Sequence, residues 1–276
     1  MSSDDDGGGG QFDEREDEEE EQINLGHQDF SPEVITLLRW LKENGFRNEH
    51  RLQVFQYGDR QGRGICARRG RLAVGDELML LPSKCMLLPS VLRQEKPELY
   101  EHFEIDEDCL IAVLMYERAR IDAGLSSFWA PYLNTITRDY DYLPLMEANV
   151  LQRYATLPVP SSYYRLVSAT LIDLERTRVR VSDIITLNKL PILYDHDAFN
   201  WAYSVVNTRS VHPNPLMVNS AAFQGDDIAL VPFFDIFNHA PSGNAQVQTS
   251  CPEGFQMVTH KSFPRYSQVS LFFTVF

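Results

Sequence analysis

The sequence predicts an α+β fold in which two blocks of β-structure are separated by a helical insert. Residues 53–88 contain short apolar runs interrupted by Gly and Pro, a pattern typical of strands joined by turns. Residues 109–124 (CLIAVLMYERARIDAG) have the composition of a long helix that Gly124 ends, and strand-like apolar runs return after residue 227. The order along the chain is therefore helix, β block, helical insert and β block.

The first and last helices have clear boundaries in the sequence. Ser31 suits an N-cap and Pro32 suits the first helical position, apolar residues follow at helical spacing, and Gly45 ends the segment. A later helix is predicted to start at Asp195 and to run to Arg209. The runs IALVPFFDIF (228–237), FQMVTH (255–260) and VSLFFTVF (269–276) are predicted strands of the second β block.

These elements divide the chain into four parts. Residues 1–30 are predicted to be a disordered acidic tail, and residues 31–100 hold the N-terminal helix and the first part of the β domain. Residues 101–195 form the helical insert, and residues 196–276 form the second part of the β domain. No internal repeat is visible.

The negative charge of the chain is concentrated at its N-terminus. The net charge is −14, and residues 1–22 hold eleven acids and one arginine, a net of −10, so the remainder carries −14 + 10 = −4. A segment this acidic and poor in apolar residues cannot offset the entropy lost on ordering. It is either a solubilising tail or a docking element for basic partners such as histone tails. The remainder is not basic enough to predict nucleic-acid binding.

Cysteine usage and hydropathy exclude several classes of protein. Cys66, Cys85, Cys109 and Cys251 form no CxxC or CxH pattern, so neither a metal site nor a disulfide framework is predicted. No apolar run approaches the ~18 residues of a membrane span, and the acidic start is unlike a secretory or mitochondrial leader. The sequence therefore predicts an intracellular protein, in the nucleus or the cytoplasm.

One apolar run contains polar residues that a core strand would not need. In VPFFDIFNHAP (231–241), Asp235, Asn238 and His239 interrupt an otherwise apolar segment. Burying such groups without partners costs about 1–3 kcal/mol each. Either the protein satisfies them internally or a ligand does.

Four segments together resemble a known family. GRGICA (62–67) before GDELMLLP (75–82), SSFWAPYL (126–133), FNWAYSVVNTRSV (199–211) and VPFFDIFNHAP resemble SET-domain protein methyltransferases of the Rubisco large-subunit methyltransferase-like branch, in order and spacing. The resemblance runs from about residue 32 to about residue 268. It implies a SET-domain β fold, with small sheets around a knot-like crossing, interrupted by a helical insert. It also implies S-adenosylmethionine-dependent methyl transfer to a protein side chain, most simply lysine N-methylation of a histone or non-histone protein.

The resemblance also assigns a cofactor site. Asn238 would bind the amino end of the methionine moiety, the His239 backbone would bind adenine, and Arg209 would pair with the carboxylate. Asp235 would be a neighbouring polar anchor, and glycines in the GRG segment would allow the backbone to approach the cofactor. The predicted cofactor-binding residues are Gly62, Arg63, Gly64, Arg209, Asp235, Asn238 and His239.

The sequence also allows a purely structural role for each of these residues. His239 could be a structural histidine, Arg209 could satisfy the last carbonyls of its helix, and the glycines could form only a hairpin turn. The aromatic residues of FWAPYL (128–133) and Trp201 are predicted to be core. Tyr203 and Val211 are predicted to line a substrate channel, and the apolar Val211 favours lysine over histidine as the target.

The C-terminal residues depart from the family pattern. In YSQVSLFFTVF (266–276), Phe273 stands where the family has its catalytic tyrosine, Thr274 replaces a glycine, and the helical substrate-binding domain that follows in the family is lacking. A catalytic residue is therefore not assigned. The resemblance implies a C-terminally truncated methyltransferase. The alternative is a catalytically inactive SET-like module that binds cofactor or a partner protein.

Overall fold

The computed structural model describes residues 26–48, 52–58, 62–68, 72–140, 161–212, 228–240, 245–248, 254–259, 261–262 and 267–271. The predictions for the acidic segment 1–25, for Cys251 and for Phe273 therefore lie outside the described residues. Within these ranges, no helix combines the length and the apolar character that crossing a membrane requires.

The described residues contain seven α-helices, which lie before, within and after the helical insert. Their bounds are α1 (Pro32–Glu43), α2 (Pro89–Glu95), α3 (Pro97–Tyr100), α4 (Asp106–Asp122), α5 (Ala130–Leu133), α6 (Ser161–Leu187) and α7 (His196–Arg209). Short 3₁₀ helices cover Ser83–Cys85 and Phe234–Ile236.

The strands form one large sheet and one small one. They are β1 (His27–Gln28), β2 (Leu52–Gln56), β3 (Arg63–Ala67), β4 (Glu77–Pro82), β5 (Ser210–Val211), β6 (Ala229–Leu230), β7 (Asn238–His239), β8 (Ala245–Gln248), β9 (Gly254–Thr259) and β10 (Gln268–Leu271). The large sheet has the order β1-β2-β3-β10-β8-β9-β4, with β7 also paired to β10, and β5 pairs with β6 separately. The combination of helices with these two sheets confirms the predicted α+β class.

The boundaries of α1 and α7 follow their local sequence signals. α1 begins at Pro32 and is followed by Gly45 at φ +93°, a conformation that favours glycine. Ser31 does not cap α1 through its side chain, because its Oγ accepts a hydrogen bond from Arg63 instead. Asp195 caps α7 as predicted, and its Oδ1 accepts from the Ala198 backbone at 2.8 Å.

Two predictions about secondary structure are corrected. Residues 27 and 28 fall in the range 1–30 assigned to a disordered tail, but they form β1, because antiparallel pairing with β2 satisfies their backbone. The run 228–237 is not one strand, since only Ala229–Leu230 is extended. Phe233 then turns the chain at φ +72°, and its fully buried ring packs against Phe46 and Phe237.

The helical insert is anchored to the rest of the core by α4. Every residue from Cys109 to Met115 is almost completely buried, and α4 packs against α7 and α6. Asp108, 1% exposed, pairs with Arg180 of α6, whose Nη2 lies 2.7 Å from Oδ1. Burial of this helix on all sides fixes the position of α7 and therefore of its last residue.

The crossing of two distant segments places the Asn-His pair beside the GRG segment. β10 pairs antiparallel with β3, with Val269 opposite Ile65, and parallel with β7, with Ser270 opposite Asn238. Ala240 continues this contact by donating its backbone N–H to Leu271 at 3.0 Å. Because β10 lies between β7 and β3, residues far apart in sequence meet at one edge of the sheet.

Candidate functional site

A cavity of about 500 Å³ lies where these segments meet. It is lined by residues of the GRG segment, the chain after α5, the end of α7 and the segment before β7; those used below are Gly62, Arg63, Tyr140, Arg209, Asp235 and Asn238. The pairing of β5 with β6 brings the end of α7 beside the 3₁₀ turn that carries Asp235. The structure therefore brings together six residues at one cavity, five of which the sequence predicts as cofactor ligands.

Arg209 is held in place by bonds on two sides of its guanidinium. Its Nε donates to the Tyr140 hydroxyl at 2.7 Å, and its Nη1 donates to the Asp235 carboxylate at 3.1 Å and to the Asp235 carbonyl at 3.3 Å. Nη2 makes no hydrogen bond within the described residues. The arrangement leaves one edge of a fixed cation at the cavity.

Asp235 is the second member of this pair, and it is almost completely buried. Its side chain is 2% exposed, and Oδ2 accepts from both Arg209 and the Tyr132 hydroxyl, the latter at 2.9 Å. Oδ1 is also buried but has no partner among the described residues. A buried carboxylate oxygen without a donor is costly unless a ligand supplies one.

Burial sets the protonation of the three groups in this network. Burial raises the pKa of the Asp235 carboxyl, and the charge of Arg209 and the Tyr132 hydrogen bond offset only part of that rise. Burial lowers the pKa of Arg209, but the charge of Asp235 outweighs it and raises this pKa. Burial also raises the pKa of Tyr132 well above its ordinary value. Arg209 is therefore cationic and Tyr132 is a stable hydrogen-bond donor at neutral pH.

Asn238 packs directly on the backbone of Gly64. A β-carbon on Gly64 would lie 2.5 Å from Asn238 Nδ2 and 2.9 Å from the Tyr57 ring. Asn238 Nδ2 is buried and has no hydrogen-bond partner among the described residues. Gly64 is therefore required because the protein itself fills the space, and the amide it admits offers an unused donor.

The other two residues of the GRG segment have different roles. Gly62 lines the cavity at φ +61°, with no atom within 4 Å of the position of a β-carbon. Arg63 lines the cavity but is engaged by the protein, with Nε donating to Asp29 at 2.7 Å and Nη2 donating to Glu33 at 2.9 Å. A further bond from Nη1 to the Thr135 carbonyl, at 3.0 Å, ties the first β block to the insert. These contacts favour a structural role for the Arg63 side chain.

The remaining predicted residues are not all at this cavity. His239 is exposed at the end of β7 and follows Asn238 directly, so its backbone is adjacent to the site. Tyr203 is fully buried, stacks on Phe199 and donates to Asp173 of α6 at 3.1 Å, so it is a core residue between α7 and α6. Val211 packs partly buried in β5 and does not line the cavity.

Sequence reasoning missed Tyr132 and Tyr140 as members of the site. Tyr132 and Trp129 are buried, as predicted for FWAPYL, whereas Phe128 is 48% exposed and the prediction that it is core is wrong. The Tyr132 hydroxyl reaches Asp235, 103 positions away in sequence. Tyr140 supplies the hydrogen bond to Arg209 Nε. The signal available in the sequence was chemical, because a buried tyrosine needs a partner for its hydroxyl.

Three residues that line the cavity have unused polar atoms, and these atoms form a set complementary to an amino acid. Arg209 Nη2 and Asn238 Nδ2 are donors, and Asp235 Oδ1 is an anionic acceptor. A carboxylate needs such donors, and an ammonium needs such an acceptor. The residues present therefore fit the methionine end of S-adenosylmethionine, which the sequence motifs imply.

The chain is similar in sequence to known SET-domain proteins and to methyltransferases. No family model matches the chain. Mouse SET domain-containing protein 4 is 26% identical over 229 residues, which are 78% of this chain and 49% of the mouse protein. Chicken actin-histidine N-methyltransferase is 24% identical over 215 residues, 76% of this chain and 34% of that protein. The chain thus spans about half, or less, of the length of these curated relatives.

Solved structures identify the fold. The crystal structure of the SET domain of LSMT bound to MeLysine and AdoHcy matches with a TM-score of 0.70 at 19% identity, over 90% of this chain and 54% of that one. The structure of Rubisco LSMT bound to AdoMet matches with a TM-score of 0.69 at 19% identity, over 89% of this chain and 53% of that one. The chain therefore has the SET-domain fold of the Rubisco large-subunit methyltransferase-like proteins, as its motifs predicted.

Proposed function

We propose that this chain binds S-adenosylmethionine and transfers its methyl group to a protein side chain, and that this side chain is lysine. Two observations on other proteins support the choice of cofactor and target: the solved structures of the same fold hold AdoMet or AdoHcy, some with lysine or methyllysine, and the relatives include methyltransferases.

One observation carries the proposal. Asp235 Oδ1 and Asn238 Nδ2 are buried and without partners among the described residues, and both residues line the cavity that Arg209 also lines. Each such atom costs about 1–3 kcal/mol when nothing satisfies it. A ligand with a carboxylate and an ammonium would satisfy all three residues at once.

The residues act by holding and orienting the ligand. When bound, S-adenosylmethionine supplies an electrophilic methyl group on a sulfonium centre. Arg209 is preorganised by Tyr140 and Asp235, so its Nη2 can donate to a carboxylate without reordering. Asp235 Oδ1 would accept from the ammonium, and rotation of the Asn238 amide would let its oxygen do the same. Gly62 and the His239 backbone would line the rest of the site.

The target amine must be neutral to accept a methyl group. Burial in an apolar channel disfavours the ammonium form and lowers the pKa of a lysine, so the channel itself prepares the nucleophile. Histidine is the competing target, because one group of relatives methylates histidine in actin. Val211 does not line the cavity, so the choice of lysine is supported by the solved structures of this fold that hold lysine or methyllysine.

A second candidate function is a binding module without turnover. The observation that favours it is Phe273, which stands where the family resemblance places a catalytic tyrosine. Such a module would bind cofactor or a partner protein but transfer no methyl group. For either function, a lysine-bearing protein as partner and a location in the nucleus or the cytoplasm are proposals as well.

The test is calorimetric titration of the full chain with S-adenosylmethionine. We expect saturable binding that Asn238→Ala abolishes, while Asn188→Ala, which removes a surface amide bonded only to its own helix, leaves binding unchanged. A folded wild-type protein that does not bind would contradict the assignment of the cofactor.

Turnover is tested separately, with labelled S-adenosylmethionine and peptide arrays that present lysine, or histidine in its place. Transfer to lysine peptides supports the enzyme, and transfer to histidine peptides alone corrects the target. Binding without transfer, with transfer gained in Phe273→Tyr, identifies the binding module.

A further inference from the structure

A second cavity, of about 390 Å³, is lined by residues of α1, of β2 and of the segments beside them. Its floor is apolar and is formed by Leu38, Phe46 and Leu52, while Lys42, Arg47 and Arg68 form its rim. We call this surface the basic groove. Because it lies between α1 and the Leu52 end of β2, it shares none of the lining residues of the candidate cofactor cavity.

The rim is positively charged in a chain that is otherwise acidic. Arg39 lies three residues before Lys42 on the exposed side of α1, and neither forms an ion pair within the described residues. Arg47 pairs with Glu77 at 3.2 Å, but their side chains are 47% and 28% exposed, so this pair is weak and exchangeable. The acid Asp29 also lines the groove but is bound by Arg63.

An anionic occupant is present in the same chain. Residues 1–22 carry eleven acids and one arginine, and this segment contains one aromatic residue, Phe12, beside the acids 13 and 14. An anionic segment with an aromatic residue matches a groove with a cationic rim and an apolar floor. No other stretch of 22 residues in the chain has a comparable charge.

The connection of this segment to the fold places it within reach. β1 pairs antiparallel with β2, with His27 opposite Gln56, so the chain before Gly26 leaves at the Gln56 end of β2. The groove lies at the Leu52 end, four residues along the strand or about 13 Å away. A polypeptide of about 22 residues without regular structure has a root-mean-square span of about 26 Å.

We propose that the acidic segment 1–22 docks intramolecularly on the basic groove. Its acids contact Lys42 and Arg39 and add to the contacts that Arg68 already makes, and Phe12 contacts the apolar floor. Each exposed ion pair contributes little, but tethering raises the effective concentration of the segment to the millimolar range, so several weak pairs suffice. The contact is electrostatic and is therefore weakened by salt.

Carbodiimide cross-linking of the full chain tests this contact. The reagent activates a carboxylate, and a lysine amine within direct contact displaces the resulting urea to form an amide. The chain has five lysines, Lys42, Lys84, Lys96, Lys189 and Lys261, so each molecule contains its own controls. We expect cross-links from segment 1–22 to Lys42 in the monomer, about five-fold or more above those to the exposed Lys84, Lys189 and Lys261, and their loss at about 1 M salt.

Charge variants check that the rim attracts the segment. Arg39→Glu with Arg68→Glu is expected to lower the Lys42 cross-link about five-fold or more, while the matched pair Arg165→Glu with Arg176→Glu, at exposed positions of α6, leaves it unchanged. Circular dichroism establishes that each variant is folded. Cross-links from segment 1–22 that are spread evenly over the exposed lysines would overturn the proposal. Cross-links found only between two copies would also overturn it, because the docking would then not be intramolecular.

Discussion

Asn238 occupies the space that a side chain on Gly64 would need. Its Nδ2 lies 2.5 Å from the position of a Gly64 β-carbon, closer than real β-carbon contacts come. The Asn-His segment and the GRG segment are therefore complementary in shape, and β10 holds them in register between β3 and β7. A change at Gly64 must act on Asn238, because the glycine backbone cannot move without disturbing β3.

Gly64→Ala is predicted to abolish or strongly weaken S-adenosylmethionine binding. The new methyl group would displace the Asn238 amide and contact the Tyr57 ring, which lies 2.9 Å from its position. We expect affinity to fall about ten-fold or more, the effect of losing one or two hydrogen bonds to charged groups. Calorimetry measures the affinity, and urea unfolding measures any loss of stability.

The control is Gly124→Ala, at a glycine that has open space around it and, unlike Gly64, a positive φ. Gly124 has φ +72° and no atom within 4 Å of a β-carbon position, and it ends α4 far from the cavity in sequence. Alanine there should cost about 1–2 kcal/mol of stability and leave binding intact. Equal affinities for the Gly64→Ala variant and the wild type would refute the role assigned to Asn238.

Arg209→Lys is predicted to weaken cofactor binding although the charge is kept. Lysine cannot donate to Tyr140 and Asp235 together, so the cation would lose the fixed orientation that leaves Nη2 at the cavity. We expect about ten-fold or more loss of affinity for S-adenosylmethionine. Arg120→Lys is the matched change, since Arg120 Nη2 donates to an exposed carbonyl, that of Ser126, at 2.8 Å. Unchanged affinity in Arg209→Lys would remove this arginine from the site.

Tyr132→Phe and Tyr100→Phe are predicted to have opposite effects on stability. Both tyrosines are completely buried, but the Tyr132 hydroxyl donates to Asp235, whereas the Tyr100 hydroxyl has no partner among the described residues. Removing the first leaves a buried carboxylate short of a donor and should cost about 1–3 kcal/mol. Removing the second should be neutral or stabilising. Urea unfolding measures the free energy of unfolding of both variants. Equal destabilisation would contradict the hydrogen bond assigned between Tyr132 and Asp235.

Elements whose ends carry local signals could be predicted from the sequence. The proline and glycine that bound α1 and the N-cap of α7 are local features, and the structure confirms both helices. The turn after β6 could not be predicted in this way. The apolar run 228–237 has the composition of a strand, and packing of the Phe233 ring against Phe46 and Phe237 accompanies a positive φ that periodicity does not reveal.

The sequence could predict which residues meet at the cavity, but it could not predict the side chains that hold them in place. Arg209, Asp235 and Asn238 stand in motifs, so their residue types and order identify them. Their partners come from other elements, as the 103 positions between Tyr132 and Asp235 show. The position of Tyr203 also depends on tertiary contacts. Its hydroxyl bonds to Asp173 of α6, whereas only the C-terminal end of α7 reaches the cavity.

Glu107 provides a prediction for pH. Burial raises the pKa of this half-buried carboxyl, and the negative charge of Asp173 adds to the rise. The hydrogen bond from Asn207, at 2.9 Å, offsets part of it. A raised pKa in the folded state means that ionisation is less favourable there than in the unfolded chain, where the pKa is about 4.3. Glu107 therefore costs stability above its folded pKa, and this cost disappears as the pH falls below the unfolded value.

Glu107→Gln is accordingly predicted to stabilise the protein at pH 7, with the gain disappearing near pH 4. Glutamine keeps an oxygen that can accept from Asn207 but carries no charge to desolvate. Asp122→Asn is the control of opposite sign, because the hydrogen bond from Arg138, whose Nη1 lies 3.0 Å from Oδ2, lowers the pKa of Asp122. It should destabilise at pH 7 and lose its effect as the pH falls through the lowered pKa. Urea unfolding at both pH values measures each difference, and a Glu107→Gln gain that persists unchanged at low pH would show that shape rather than charge is responsible.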